Sequence, residues 1–277
     1  MSEGSGLFGR VSLMEIDRPV GSHAHPQCHA LFKIDGDESV FEVDGLRYPL
    51  SADTAVLVNA WQPHSYPFMP GAQGRSRVLA LYVEPNWMAR VDASFQSSAR
   101  RDFFREPCVR LPDTVRRYVR ELADEIGGAR SDPVRACALL QEIVVRLTVH
   151  YSRHREIPAW ARNASSTVGD YRIRRALGVI AERAATRFDM SAVAREVAMS
   201  RPHFFEVFRR TLGITPNAYR NVLRMERAYR SLLETSSPVN RIASELGFSA
   251  HADFTRFFRM NHGVSPDAYR GAAWRMA

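Results

Sequence analysis

SPVNRIASELGFSAHADFTRFFRMNHGVSPDAYR, residues 237–270, decides how the C-terminal half of this chain is read. Ser237-Pro238 offers an N-cap followed by a proline at the first helical position, where its missing N–H costs nothing. A short stretch then runs to Gly247, where a left-handed turn residue is needed. A longer stretch follows, with Phe254, Phe257 and Phe258 suited to a core. Short helix, tight turn and longer helix make a helix-turn-helix, whose second helix can enter a DNA major groove.

The stretch has a partner within the chain. DMSAVAREVAMSRPHFFEVFRRTLGITPNAYR, residues 189–220, passes through the same order and the same Gly-[Ile/Val]-[Thr/Ser]-Pro-x-Ala-Tyr-Arg ending. Asp189 is a good N-cap for its short helix, with Phe188 available as a staple. Ala198 stands where the second unit has Gly247, a poorer turn residue that strains the turn. Between the units, Ala218, Val222, Met225, Tyr229 and Leu232 recur at 4-3-4-3 spacing, which predicts one long helix. A rigid spacer can set two recognition helices into successive major grooves, which recur every ~34 Å.

Charge agrees with that reading. Residues 172–277 hold 18 Arg, no Lys and 9 acids, a net of +9, which leaves −1 for residues 1–171 out of a total of +8. Such asymmetry points to a polyanion partner for the C-terminal part. An arginine codon bias explains the missing lysines but not the difference between the halves.

The run from Leu223 to Arg270 closely resembles the signature of the AraC/XylS family of bacterial transcription regulators. The matching residues are Arg224, Arg227-Ala228, Ile242-Ala243, Gly247-Phe248, Phe254, Arg256, Phe258, Gly263, Ser265-Pro266 and Tyr269-Arg270. The resemblance covers roughly the last hundred residues. It implies two helix-turn-helix units joined by a helix, double-stranded DNA as partner, and activation through nearby RNA polymerase.

In the first recognition helix, about 200–210, the solvent side should carry Arg201, His203, Glu206, Arg209 and Arg210, with Phe204 and Phe208 in the core. In the second, about 250–261, His251, Ala252, Asp253, Thr255 and Arg256 fall on the early turns. Arg can pair with guanine O6/N7, and Asp or Glu can accept from cytosine N4. The resemblance marks positions 202, 203, 205 and 206 and 251–256 as base readers. Phe205 is unusual there; it suits a thymine methyl or simple packing. Arg256 is open between base contact and phosphate contact, whereas Arg209, Arg210 and Arg259 suit phosphate clamps. His203 and His251 read equally as ordinary surface residues, and Asp253 as a first-turn helix stabiliser.

Residues 10–85 read as strands. ALFKI (30–34), SVFEV (39–43), TAVLV (54–58) and RVLALYV (77–83) alternate with turn signals, including Pro63 and Pro70-Gly71. Asp44-Gly45 is a two-residue hairpin signal. Helical periodicity takes over in 113–127 and 133–155. In the second stretch Val134, Cys137, Ala138, Gln141, Ile143, Val144, Leu147, Val149 and Tyr151 keep one side mostly apolar, to face the barrel or a second copy of the chain. Asp132-Pro133 starts it. The expected organisation is α+β: a cupin-like barrel domain at 1–112, a helical and dimerising region at 113–155, a linker at 156–171, and a two-unit DNA-binding domain at 172–277.

The β-rich region resembles the cupin barrel that many members of this family use as an effector domain. His23-x-His25, His29 and Gly36 follow the first cupin motif, with His29 where the motif has Glu, and DTAVLVNAWQPH (53–64) ends in His64 as the second does. Four imidazoles can hold Zn(II), Fe(II), Ni(II) or Cu(II), and ligand type alone does not choose. Alternation along a strand sets His23 and His25 on one side and Cys28 on the other. Three readings stay open: a divalent metal site, an organic effector pocket in which histidines meet a carboxylate or phenol, and a structural cluster. Phe32, Trp61, Tyr66 and Phe68 are candidate pocket walls or core.

The function expected is an effector-responsive transcription regulator, without catalysis, working as a homodimer. The alternative is a metal-dependent cupin enzyme, a dioxygenase or isomerase, carrying a DNA-binding appendage. Three distant cysteines, no apolar leader at the N-terminus and no long apolar run point to a reducing, cytoplasmic location away from membranes.

Overall fold

The computed structural model describes residues 2–16, 19–37, 39–67, 75–128, 132–154, 156, 170–186, 188–262 and 264–275. The described residues form two compact units, the first mainly residues up to 165 together with the C-terminal strand, the second mainly residues 166–271. Phe68, Pro70-Gly71 and most of the expected linker (157–169) lie outside the described residues.

The first unit is built on two sheets. Its strands are β1 (Ser2–Gly6), β2 (Gly9–Ile16), β3 (Val20–His23), β4 (Cys28–Gly36), β5 (Ser39–Val43), β6 (Leu46–Leu50), β7 (Thr54–Val58), β8 (His64–Tyr66), β9 (Ser76–Val83) and β10 (Cys108–Arg110). The seven-stranded sheet runs β10-β7-β4-β9-β2-β1-β11, and the four-stranded sheet β3-β8-β5-β6. Here β11 (Ala273–Arg275) pairs in parallel with β1. The Asp44-Gly45 turn joins β5 to β6, with φ of 51° and 80° and Val43 opposite Leu46, as a primed hairpin requires.

The larger sheet is buried on both faces, which is why its strands read as near-continuous apolar runs. Val56, Val58, Val78, Ala80 and Tyr82 face the smaller sheet, where Phe41, Val43 and Leu50 meet them. Ala55, Leu57, Leu79, Leu81 and Val83 face the other way, onto helices. Those helices are α1 (Pro85–Val91), a 3₁₀ turn (Ala93–Ala99), α2 (Asp113–Gly127) and α3 (Pro133–Tyr151). The segment 113–155 therefore shares one core with the sheet. Asp132 caps α3, accepting from the N–H of Val134 and Arg135. The buried face of α3 is Ala136, Leu139, Leu140, Ile143, Val144, Leu147 and Thr148, while Val134 (73% exposed) and Val149 (40%) point outward. The apolar side read from sequence mixed two faces: Ile143, Val144 and Leu147 are core, and Val134, Ala138, Gln141 and Val149 are surface.

The second unit is helical: α4 (Tyr171–Arg183), α5 (Met190–Glu196), α6 (Arg201–Leu212), α7 (Pro216–Glu234), α8 (Val239–Glu245), α9 (His251–His262) and α10 (Pro266–Ala272). Each helix-turn-helix has its own core. Val193, Ala194, Phe204 and Phe208 fill the first; Ile242, Ala243, Phe254, Phe258 and Tyr269 fill the second. α7 serves both, with Tyr219 and Leu223 against the first and Met225, Ala228 and Leu232 in the second.

Caps follow the sequence with one exception. Asp189 accepts from Ser191 N–H, as predicted. In the second unit Pro238, not Ser237, is the N-cap of α8: its carbonyl accepts from Arg241 and Ile242, and no side chain caps the helix. The Ser237 carbonyl is instead taken by Arg270 at 2.7 Å. The two turns match bond for bond. Ala198 N–H bonds Arg195 O as Gly247 N–H bonds Ser244 O, at φ of 54° and 74°.

Candidate DNA interface and effector site

The recognition helices α6 and α9 bury Phe204, Val207 and Phe208, and Phe254 and Phe258. The 3.6-residue period then turns Arg201, His203, Glu206, Arg209 and Arg210 outward on α6, and His251, Ala252, Asp253, Arg256 and Arg259 on α9, all exposed. Phe205 and Thr255 are half-buried. Ser200 caps α6 through His203 N–H. The polar faces are tied internally: the Arg201 guanidinium lies 4.8 Å over the Phe205 ring, Arg210 faces Glu206 at 3.8 Å, and Arg256 faces Asp253 at 3.9 Å. These exposed pairs are worth ~0.2–1 kcal/mol each, so a phosphate or base edge can displace them at little cost.

Other arginines of the unit are not available to a polyanion. Arg224, 9% exposed, sends Nε to Ala184 O (3.0 Å) and Nη2 to Gly247 O (3.2 Å), and its guanidinium stacks 4.6 Å over Phe248. Arg220 and Arg227 take the carbonyls of Thr186 and Ala181 at 2.6 and 2.7 Å. The carbonyls at a helix end have no partner in their own helix, and these side chains bond carbonyls at the end of α4 and in the turns just past α4 and α8. Counting charge along the sequence could not separate these structural arginines from surface ones.

In the first unit, His25, His29 and His64 converge between the sheets, at 7, 3 and 3% exposure. His25 and His64 ring centroids lie 4.8 Å apart, and His29 and His64 5.1 Å. His23, half-buried at the end of β3, completes the set: one ring nitrogen each of His23, His25 and His64 lies within 4.8 Å of the others. His25 lies past the end of β3, in the connection to β4, so strand alternation is not what brings it to His23. Gly36 turns the end of β4 at φ 90°, where a Cβ would sit 2.0 Å from Arg75 O.

The backbone decides the tautomers. His25 Nδ1 lies 3.1 Å from Gln27 O, and His64 Nδ1 2.9 Å from Gln62 O. A carbonyl only accepts, so each Nδ1 carries the proton and, in the neutral ring, Nε2 carries the lone pair. His29 Nδ1 is 3.3 Å from His64 Nε2 and is therefore the donor of that pair.

The candidate walls separate. Phe32 lies on the helix side of β4, with Cys28 and Ala30, away from the histidines. Cys28 donates to Ser98 O at 3.1 Å, and burial pushes its thiol up to about 12. Tyr66 packs on Phe41, and half-buried Trp61 donates its backbone N–H to His25 O. Sequence reading missed Tyr82 and Arg10. Tyr82 stacks on His29 at 4.1 Å, and the Arg10 guanidinium, 8% exposed, lies 3.7 Å over the Tyr82 ring. The one signal was their register: Arg10, Tyr82 and His29 stand side by side across β2, β9 and β4.

A double-sheet domain followed by paired helix-turn-helix units defines the class. Residues 11–144 match the AraC-like ligand binding domain, and residues 193–272 a helix-turn-helix domain. The chain belongs to the AraC family. It is 25% identical over 174 residues to the arabinose operon regulatory protein of Salmonella typhimurium, covering 62% of this chain and 58% of that protein. It is 38% identical over 90 residues to an HTH-type transcriptional regulator of Mycobacterium tuberculosis, covering 32% and 35%. The chain thus spans about a third to three-fifths of these relatives. ToxT of Vibrio cholerae shares the fold over 95% of this chain and 97% of its own, with a TM-score of 0.57 and 9% identity. No helix among the described residues is long and apolar enough to cross a membrane.

Proposed function

We propose that this protein is a sequence-specific, effector-responsive transcription regulator that binds double-stranded DNA. One observation carries the DNA reading: two like recognition helices, each exposing an arginine-bearing face, are mounted on the single helix α7. The relatives reported above are regulators, which favours this over the cupin-enzyme reading. The test is binding to DNA selected from a random pool. Arg256→Ala should cost ~1–3 kcal/mol and relax preference at one position. An equal loss on every sequence would assign Arg256 to phosphate instead.

The effector site is the histidine cluster, and a divalent cation (Zn, Fe or Ni) fits it. Metal-bound histidines commonly donate one ring nitrogen to a carbonyl and ligate through the other, and His25 and His64 each donate Nδ1 to a carbonyl. A bound cation would supply charge to draw the imidazoles together; His25, His64 and His23 would hold it, with His29 beside them. The second reading is an organic carboxylate, favoured by buried Arg10; a ToxT structure carries a bound unsaturated fatty acid. Metal analysis and Zn²⁺ calorimetry of wild type and His25→Ala separate the two. The exposed stripe Val134, Ala138, Gln141 and Val149 on α3 suits a homodimer contact, and RNA polymerase is the partner through which DNA-bound protein activates.

A further inference from the structure

The loop Asn59–Gln62, between β7 and β8, holds the backbone of His25 and the imidazole of His64. Trp61 N–H donates to His25 O at 2.8 Å, and Gln62 O accepts from His64 Nδ1 at 2.9 Å. The loop is closed on itself: Asn59 N–H donates to Gln62 Oε1 (2.9 Å) and Gln62 N–H to Asn59 O (3.1 Å). Trp61 sits at φ 63°, a conformation a bulky side chain keeps only where its surroundings impose it.

The same loop is bolted to a distant segment. Asn59 is 6% exposed; its Oδ1 accepts from Phe104 N–H at 2.6 Å and its Nδ2 donates to Phe104 O at 3.2 Å. Phe104 pairs with Ser152, the residue that follows α3. Around it, Arg105 N–H bonds Tyr151 O (3.1 Å), Arg153 N–H bonds Phe103 O (2.8 Å), and Arg105 meets Glu156 at 2.6 Å. Directional contacts thus run unbroken from His25 and His64 to the last turn of α3 and the residues after it.

We infer that Asn59 is a positioning residue that makes the end of α3 respond to the state of the histidine cluster. For its natural trigger the inference rests on that cluster being the effector site; the mechanical link is a property of the loop itself. A shift of the His25 backbone or the His64 ring displaces the loop. Asn59 cannot then slide past Phe104 without breaking two buried hydrogen bonds that water does not replace. The displacement passes to Phe104 and on to Tyr151–Arg153. Among the polar side chains only an amide puts a donor and an acceptor on one planar end. Asp keeps the acceptor and loses the donor.

The test is amide hydrogen exchange at Arg105 and Arg153 in the full chain. His64→Ala should speed both by about fivefold or more, the low end of ordinary coupling between sites. In an Asn59→Asp background the same His64→Ala change should move them less than about twofold on that scale. Gln62→Ala, at a half-buried position, serves as the second background should Asn59→Asp fail to fold, with the same weakened response expected. Zn²⁺, with calorimetry alongside, is the ligand probe. Unchanged exchange on His64→Ala in the wild-type background, or an equal response in both backgrounds, overturns the inference. If Zn²⁺ does not bind, the cation reading falls while the His64→Ala arm still decides the link.

Discussion

Ala198→Gly and Gly247→Ala exchange the residues of two turns with one backbone conformation, and they should move stability in opposite directions. At φ 54° the Ala198 Cβ crowds its own carbonyl, a strain of about 1–2 kcal/mol. Glycine removes it but adds freedom to the unfolded chain, about 0.4–1 kcal/mol. The difference leaves Ala198→Gly more stable by roughly 0.5–1 kcal/mol, or about 2–6 °C for a unit of this size. Gly247→Ala takes on the same strain and more. Its new Cβ would lie 2.2 Å from Ala185 O and 3.1 Å from Arg224 Nη2, which is bonded to the Gly247 carbonyl. Strain and overpacking together cost about 2–5 kcal/mol. Urea denaturation of the full chain, followed by exchange of amides in α5–α9, reads the second unit separately from the first. A destabilised Ala198→Gly, or a neutral Gly247→Ala, would refute the argument that turn geometry and not composition sets this difference.

Three further outcomes are expected. Arg224→Met should destabilise the second unit by about 3 kcal/mol, since two charge-assisted bonds to carbonyls vanish; urea titration showing under about 1 kcal/mol would sink this. Cys28, buried and with its thiol raised to about 12, should resist iodoacetamide at pH 8 in the folded chain; labelling at the rate of an exposed thiol contradicts its placement. Asp170 caps α4 and is held down to about 2 by hydrogen bonds from Arg172. Its folded value lies below the unfolded one, so its contribution is present above about pH 4 and fades as pH falls through 2. Asp170→Asn should remove that acid dependence from exchange at the Arg172 amide.

Much of the second unit was legible because its signals are local. Asp189, Ser200, Thr215 and Gly213 cap and close helices through neighbours two to four residues away. Phe204 with Phe208, and Phe254 with Phe258, mark the buried sides at i and i+4, so the opposite, candidate DNA-reading sides followed. The first unit was legible strand by strand but less so in its faces. An apolar run in a doubly buried sheet gives no alternation to read, which is why Phe32 could be taken for a pocket wall when it belongs to the helix side. Arg10 and Tyr82 went unnoticed because nothing near either in sequence marks them, and only strand pairing sets them beside His29.

The sequence alone determined the two helix-turn-helix units, their order, their shared helix and the density of histidine at residues 23–29, all written in spacings shorter than a helix. Tertiary structure decided which arginines serve helix ends and which stay exposed, which side of β4 faces the histidines, and that Asn59 ties them to the end of α3. Each of those depends on a carbonyl or a ring brought from tens of residues away, and no local period records such a partner.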